Sequence, residues 1–278
     1  MNSLQLIGAI ELGLIYALVA IAVYISFRLI DFPDLTVDGS FTLGGAIAAV
    51  LLVNGHPALM ATLIAIVGGL MAGLVTGFLH SKLNILAILA SILVMTGLYS
   101  VNLRIMSQPN IALLNEPTLF SAGSVLMIIL LIVMLTLGLL SWLFHTHFGL
   151  AIRATSMNPD ICHAYGIRTN TLKVIALCLS NGIVALAGAL FAQSQGFADI
   201  SMGTGTIIIG LAAVIIGESL LSPRLMFHAL LACILGAIVY RLAIVFALNA
   251  GQLGLEPSDL NLITTLLVVT TLILPRFR

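Results

Sequence analysis

Nine apolar runs, each about as long as a helix needs to cross roughly 30 Å of hydrocarbon, leave this chain very few folds. They lie at about 4–27, 36–53, 57–79, 83–105, 122–144, 171–195, 201–219, 225–247 and 259–275. The runs are too long and too uniformly apolar for barrel strands, which alternate, so the expected fold is an all-α polytopic membrane protein. The second run is short and rich in glycine, and a broken or re-entrant segment there would make the count eight or ten. Composition agrees: 61% of the 278 residues are hydrophobic, 7% are charged and mean hydropathy is +1.23, values that exclude a soluble chain. Zero net charge gives no basis for nucleic-acid binding by bulk electrostatics. The first run lacks the basic region and small-residue cleavage site of a signal peptide, so it is expected to stay as a span. Cys162, Cys178 and Cys233 show no paired spacing, which argues against disulfides and a cysteine metal site.

One stretch is hydrophilic. Residues 145–173, HTHFGLAIRATSMNPDICHAYGIRTNTLK, hold three of the ten basic residues and three of the six histidines. Spans lie on both sides, so it is a loop at one membrane face. Asn158, Pro159 and Asp160 read as a helix start: a capping side chain, a proline at the first helical position and an acid at the positive helix end. Gly166 reads as the stop. The helix between them has two turns, about 10 Å. It is too short to be stable alone in water and is expected to pack on its own membrane domain or on a soluble partner.

With that loop inside, Arg28, Lys82, Arg153, Arg168, Lys173, Arg224, Arg276 and Arg278 fall on the cytoplasmic side, and only Arg104 and Arg241 lie towards the outside. The positive-inside rule then places the N-terminus outside and the C-terminus in the cytoplasm. The segments near 107–123 and 249–259 are external loops, read either as a docking surface or as plain connectors.

A shift of 165 residues lays FPDLTVDGSFTLGGAIAAVLL (32–52) over FADISMGTGTIIIGLAAVIIG (197–217). Phe32 meets Phe197, Asp34 meets Asp199, and Thr36 meets Ser201. The same shift lays the first span on the sixth and the third on the eighth, an odd offset that makes the copies run in opposite directions. Such an inverted repeat is a transporter signature. One permease-like domain is therefore expected over 1–278, with a first repeat at about 4–105, a linking span at 122–144, the loop at 145–173 and a second repeat at about 171–275. Asp34, Thr36, Asp199 and Ser201 are expected to cap Gly-rich helices, either simply at the interface or as helix ends that receive an anionic group of a substrate. Asp38 has no charged counterpart, because Gly203 occupies the matching position. Glu11, inside the first span, is a further pathway candidate, and Phe32, Asp38 and Phe197 complete that set. Asn84, Asn181, Gln193 and Gln195 are read as hydrogen-bonding between helices, and Gly182, Gly188 and Ala189 as a close-packing face. His145, His147 and His163 fit no zinc spacing, and no Walker-type loop occurs.

The run HFGLAIRATSMNPDICHAYGIRTNTLKVIALCLSNGIVALAGALFAQSQG resembles the coupling loop and following helix of ABC transporter permeases of the branched-chain amino acid and ribose group. The likeness is carried by Phe148, Gly149, Ala151, Ile152, Arg153, Ala154, Asn158, Pro159, Gly166, Ile167 and the stretch from Leu179 to Leu190. The N-terminal GLIYALVAIAVYISFRLIDFPDLTVDGSFTLGGA and the C-terminal LPR also fit. The form IDFPDLTVDGSFTLGGA looks more like a sister subgroup assigned to tryptophan or other small nitrogenous solutes and used with a lipoprotein-type binding protein. The resemblance implies a permease subunit of an ATP-driven importer in the cell's inner membrane. Two permeases, with a homodimer favoured, would form the path. A cytoplasmic ATPase dimer would bind ATP and magnesium, this chain binding no cofactor and catalysing no reaction. An extracytoplasmic binding protein would deliver the solute. The Pro159–Tyr165 helix would sit in a groove on the ATPase, with Arg153 and Asp160 making polar contacts and Ile161, Cys162 and Tyr165 apolar ones. The competing class is an ion-coupled secondary transporter or channel; a capped cytoplasmic helix and the scarcity of intramembrane acids argue against it.

Overall fold

The computed structural model describes residues 3–114, 116–221 and 225–249, together with Thr265 and Val269. In chain order the elements are α1 (Ser3–Val23), a π-helical turn (Tyr24–Leu29), α2 (Thr36–Val53), α3 (Ala58–Leu83), α4 (Ala87–Met106), β1 (Asn110–Ala112) and a 3₁₀ turn (Leu119–Ala122). Then come α5 (Val125–His145), α6 (His147–Met157), α7 (Pro159–Ala164), α8 (Thr169–Gln195), β2 (Phe197–Asp199), α9 (Thr206–Leu220) and α10 (Met226–Asn249). Among the described residues, seven helices are long and apolar enough to cross a membrane, and α9 is apolar but only 15 residues long. Apart from Asn249, Thr265 and Val269, the 249–259 loop and the expected ninth span at 259–275 lie outside the described residues, as do the LPR sequence and Arg224, Arg276 and Arg278.

The short span is not the expected one. The second apolar run, read as the place for a break, is a continuous helix of 18 residues. The shortfall falls on the seventh run, expected from 201 but helical only from Thr206, because residues 201–205 turn and Gly205 adopts φ +80°. At 1.5 Å per residue α9 is about 22 Å long, less than the hydrocarbon thickness.

Small residues decide how the helices pack. A Cβ added at Gly44 of α2 would lie 2.0 Å from the Ala185 carbonyl oxygen of α8, and one at Gly188 of α8 would lie 1.9 Å from the Phe41 oxygen. Backbone therefore touches backbone, as the small-residue face of the sixth run predicts. The same contact recurs between α10 and α9, where a Cβ at Gly236 would lie 2.0 Å from the Ala213 oxygen. α8 packs against α3 and α2, and α1 packs against α10 and α9. Tyr16, Phe41 and Phe191 form a buried ring cluster where α1, α2 and α8 meet, with centroids 5.5–6.2 Å apart. Leu63 and Val67 of α3 and Leu131 and Leu135 of α5 turn outward instead, the arrangement that a lipid-facing surface requires.

The two ends differ. α6 and α7 lie at the end where α5 finishes and α8 begins. At the opposite end β1 and β2 pair antiparallel, with Asn110 opposite Asp199 and Ala112 opposite Phe197. Ile200 N–H donates to Pro109 O at 2.9 Å and Leu113 N–H to Gly196 O at 2.7 Å, extending the pairing beyond the strands. Neither strand is signalled by alternation, since three residues are too few to show it. Residues 147–157, read as loop, are helical: Thr146 caps Gly149 N–H, and Gly149, Ile152 and Thr155 place a buried stripe at helical spacing.

Candidate functional site

The polar end follows the expected design closely. Asn158 Oδ1 accepts from Ile161 N–H at 3.1 Å, Pro159 stands at the first position, and Gly166 ends the turn at φ +76°. Gly166 N–H donates to His163 O and Ile167 N–H to Cys162 O, both at 2.9 Å, closing the last turn. His163 also pairs with Thr169 Oγ1 at 2.8 Å, tying α7 to the start of α8. Besides Pro159 and Gly166, the six other residues of the expected coupling site separate into two groups. Ile161 and Tyr165 are 53% and 81% exposed, and Asn158 and Asp160 are exposed too. Cys162 is only 4% exposed and faces its own chain, while the Arg153 guanidinium turns back to donate to Phe144 O at 3.4 Å. α7 is therefore held from inside by Cys162 and offers Ile161 and Tyr165 outward.

A second cluster lies between the long helices. Asp34 is fully buried between the π turn and α2. Its Oδ1 accepts from Thr36 N–H at 3.0 Å and its Oδ2 from Asn181 Nδ2 at 2.7 Å, while Asn181 Oδ1 accepts from Ser40 at 2.7 Å. The Thr36 and Thr76 hydroxyls hydrogen-bond at 2.8 Å, joining α2 to α3, and Phe32 meets His80 edge-on at 5.1 Å. The Asp34 carboxylate thus links α2 and α8, and Thr36 carries the link on to α3. Asn181 and Gln193 bond between helices as expected, Gln193 to Thr62 of α3 at 2.9 Å. Asn84 does not: it takes a left-handed conformation, φ +53°, to end α3. Gln195 is exposed at the end of α8.

The second copy of the motif stands elsewhere. Asp199 belongs to β2, where its Oδ1 accepts from both the hydroxyl and the N–H of Ser201, the latter at 2.8 Å, and its Oδ2 from Asn110 Nδ2 at 3.4 Å. The Ser201 hydroxyl is the main reason its carboxyl is held below the usual aspartate range, against a smaller opposing effect of burial. Ser201 is exposed, Phe197 is half-exposed, and both lie away from Asp34. Neither Asp199 nor Ser201 caps α9. That role belongs to Asp38 of α2, whose two carboxylate oxygens accept from Gly205 N–H and Ile207 N–H, each at 2.9 Å. Sequence reasoning saw Asp38 as unmatched; the missed partner is the start of α9, which no local spacing reveals. Gly203, its counterpart by the 165-residue shift, lies against it, with room for no Cβ because Asp38 O is 2.1 Å away.

Beside Asp38, α2 and α4 border a cavity of about 270 Å³ that includes Thr42, Thr96, Tyr99, Asn102 and Thr204. Asn102 was not among the expected residues. Glu11 is half-buried on α1, apart from these clusters. Arg241 lies in the second half of α10, inside the eighth expected span, with its guanidinium 5.8 Å from the Tyr16 ring centroid. At the other end of the bundle Arg28 and Glu218 form a double hydrogen bond that ties the π turn of α1 to the end of α9.

Among the described residues, seven membrane-length helices, close backbone crossings and a short capped helix with exposed side chains between two of them are the build of a multi-pass membrane protein. Residues 5–274 match the family described as branched-chain amino acid transport system / permease component. The chain belongs to that family of ABC transporter permeases and is a transport subunit. Relatives include a tyrosine transport system permease protein of Clostridioides difficile, 39% identical over 96% of this chain and 90% of that protein. An uncharacterised Rickettsia prowazekii protein is 35% identical over 96% of each chain. The autoinducer 2 import system permease protein of Escherichia coli is 28% identical over 73% of this chain and 60% of its own length. Among solved structures the fold is similar to PsaBC of Streptococcus pneumoniae in complex with Fab, with TM-score 0.55, 16% identity and coverage of 96% and 89%. An inward-facing metal-chelate type ABC transporter gives the same score and identity, covering 99% of this chain and 86% of the other.

Proposed function

We propose that this chain is the membrane-spanning subunit of an ATP-driven importer for an amino acid or a related small nitrogenous solute, with α7 as the element that takes up the ATPase's motion. The observation that carries this reading is the construction of α7. A six-residue helix is anchored by a buried Cys162 and ended at Gly166, yet leaves Ile161 and Tyr165 uncovered, which suits a groove on a soluble partner better than a connector. The tyrosine transport permease of Clostridioides difficile supports the solute class. ATP and magnesium would be held by a cytoplasmic ATPase dimer, a second copy of this chain would complete the path, and an extracytoplasmic binding protein or lipoprotein would deliver the solute. The orientation that goes with this places α7 in the cytoplasm, the β pair and the N-terminus outside, and the C-terminus inside.

An inverted repeat fits the same reading. Asp34 and Asp199 each accept from the backbone N–H two residues on. α8 is packed by α2 and α3 as α1 is packed by α9 and α10. The matched positions Asp38 and Gly203 touch each other, as positions beside a pseudo-two-fold axis would.

The test is a mild-detergent pull-down of the tagged chain from native membranes. Recovery of a Walker-motif ATPase, lost when the residues from Pro159 to Tyr165 are altered, is expected; a chain that comes out alone and moves solute without ATP would turn the assignment to an ion-coupled carrier. Gly166→Val, which puts a β-branched residue at φ +76°, is expected to leave ATP hydrolysis running while uptake into proteoliposomes fails.

A further inference from the structure

The cavity between α2 and α4 is unusual in its hydrogen-bonding balance. Thr42 Oγ1 donates to Asp38 O at 3.2 Å, Thr96 Oγ1 to Ile92 O and Leu93 O at 3.0 Å, and Thr204 Oγ1 to Ser201 O at 2.7 Å. Each hydroxyl has one proton, so each presents the cavity with lone pairs only; Thr42 Oγ1 already accepts from Gly203 N–H at 3.2 Å, which leaves Thr96 and Thr204 as the more available acceptors. Asn102 donates from Nδ2 to Gly39 O at 3.2 Å, which fixes its amide the other way round, and its Oδ1 is buried without a partner among the described residues. The residue is 1% exposed. An unpartnered buried acceptor is costly, and in a folded chain it marks a place where something else supplies the donor. The Asp38 carboxylate, whose two oxygens each accept one bond from the start of α9 and keep further acceptor capacity, borders the same cavity. Tyr99, 55% exposed, stands at the rim with a ring and a hydroxyl.

At the mouth, Thr96, Tyr99 and Ser100 form an exposed polar strip of α4 between the exposed Leu93 and Leu103, through which a polar solute can reach the cavity.

We infer that this cavity is a binding subsite for a primary ammonium group on a small solute, with Asn102 Oδ1, the threonine oxygens and the Asp38 carboxylate as acceptors and Tyr99 beside the solute's apolar body. An ammonium carries three donors and one positive charge, the complement of a wall that has acceptors and a carboxylate. A carboxylate end of the solute would find nothing here to donate to it except the Tyr99 hydroxyl and the second Asn102 proton. The inference rests on the importer reading for its biological sense, but it concerns binding alone.

The experiment uses the purified full-length permease in nanodiscs with tyramine as probe and 3-(4-hydroxyphenyl)propionate, which lacks the amine, as competitor. Tyramine is expected to bind and the propionate to leave it in place. Asn102→Leu is expected to weaken tyramine binding about tenfold, the loss of one acceptor from a charged donor. Thr96→Val, at an exposed position where folding is not at stake, is expected to weaken it about threefold. Unchanged tyramine affinity in both variants, or displacement by the propionate as effective as by unlabelled tyramine, overturns the assignment. So does displacement by sodium with the same sensitivity to Asn102→Leu, which would make the cavity a metal-cation site. ATP-driven uptake of L-tyrosine by the assembled transporter is measured alongside. If uptake is absent while tyramine binds as described, the importer reading fails and the subsite stands; if uptake is present and both variants bind as wild type, the subsite alone fails.

Discussion

Replacing Gly44 by alanine tests the way α2 and α8 are held together. The added Cβ would lie 2.0 Å from Ala185 O and 2.7 Å from Ala185 Cα. These are backbone atoms, so no rotamer change relieves the clash. Ordinary contact begins at 3.4 Å, and the difference, 3.4 less 2.0, requires the helices to part by about 1.4 Å. That movement would stretch the 2.7 Å bonds from Asn181 to Asp34 and from Ser40 to Asn181 beyond hydrogen-bonding range. Overpacking costs about 1–3 kcal/mol, and each lost bond about 0.5–1.5 kcal/mol. The better helix propensity of alanine returns about 1 kcal/mol. A net loss of about 1–5 kcal/mol follows, to be read as an earlier unfolding midpoint of the purified permease in mixed detergent. Gly138→Ala is the control, because nothing lies within 4 Å of its added Cβ, and it is expected to unfold at or slightly beyond the wild-type midpoint. Equal midpoints for Gly44→Ala and Gly138→Ala would refute the backbone contact.

Three further outcomes are expected. Asn158→Ala removes the cap of α7 and costs that helix about 1 kcal/mol, so proteoliposome uptake falls while solute binding to the permease is unchanged. Reversing the pair as Arg28→Glu with Glu218→Arg restores the stability lost by either change alone; since Arg28 is half-exposed, the coupling in a double-mutant cycle is expected to stay below about 1 kcal/mol. The Asp199 carboxyl is held below its unfolded value, so its contribution is full above the ordinary aspartate range and is lost as pH falls through the lower folded value. Hydrogen exchange at the Ser201 N–H is expected to speed up across that acid window in the wild type and to show no such step in Asp199→Asn.

Much of this architecture is written in local pattern. Long apolar runs locate α1 to α5, α8 and α10, and the Asn158-Pro159-Asp160 start with its Gly166 stop locates α7, because propensity, capping and hydropathy all act within a few residues. The parts that were hidden depend on distant partners. Thr206 begins α9 because Asp38 reaches it from the other half of the chain, and nothing near residue 201 says so. β1 and β2 are too short to carry a period, and α6 carries an apolar stripe over only three turns, easily taken for loop beside so many polar residues. At the candidate site Asp34 and Asn181 were visible as polar residues in apolar surroundings. Asn102 was not, since its meaning lies in an amide orientation fixed by the Gly39 carbonyl.

The bond from Gly205 to Asp38 spans 167 residues, and that distance has a meaning during synthesis. At about 5–20 residues per second, roughly 8–33 s pass between the emergence of Asp38 and that of its partner. For that interval α2 carries a carboxylate with no helix end to cap, in a segment otherwise apolar enough to enter the bilayer. The stable course is for α2 to wait beside the insertion machinery, or shallow in the interface, until α9 arrives. Ribosome-bound chains cut before residue 205 are thus expected to leave α2 extractable at alkaline pH, and chains cut after α9 to hold it fast.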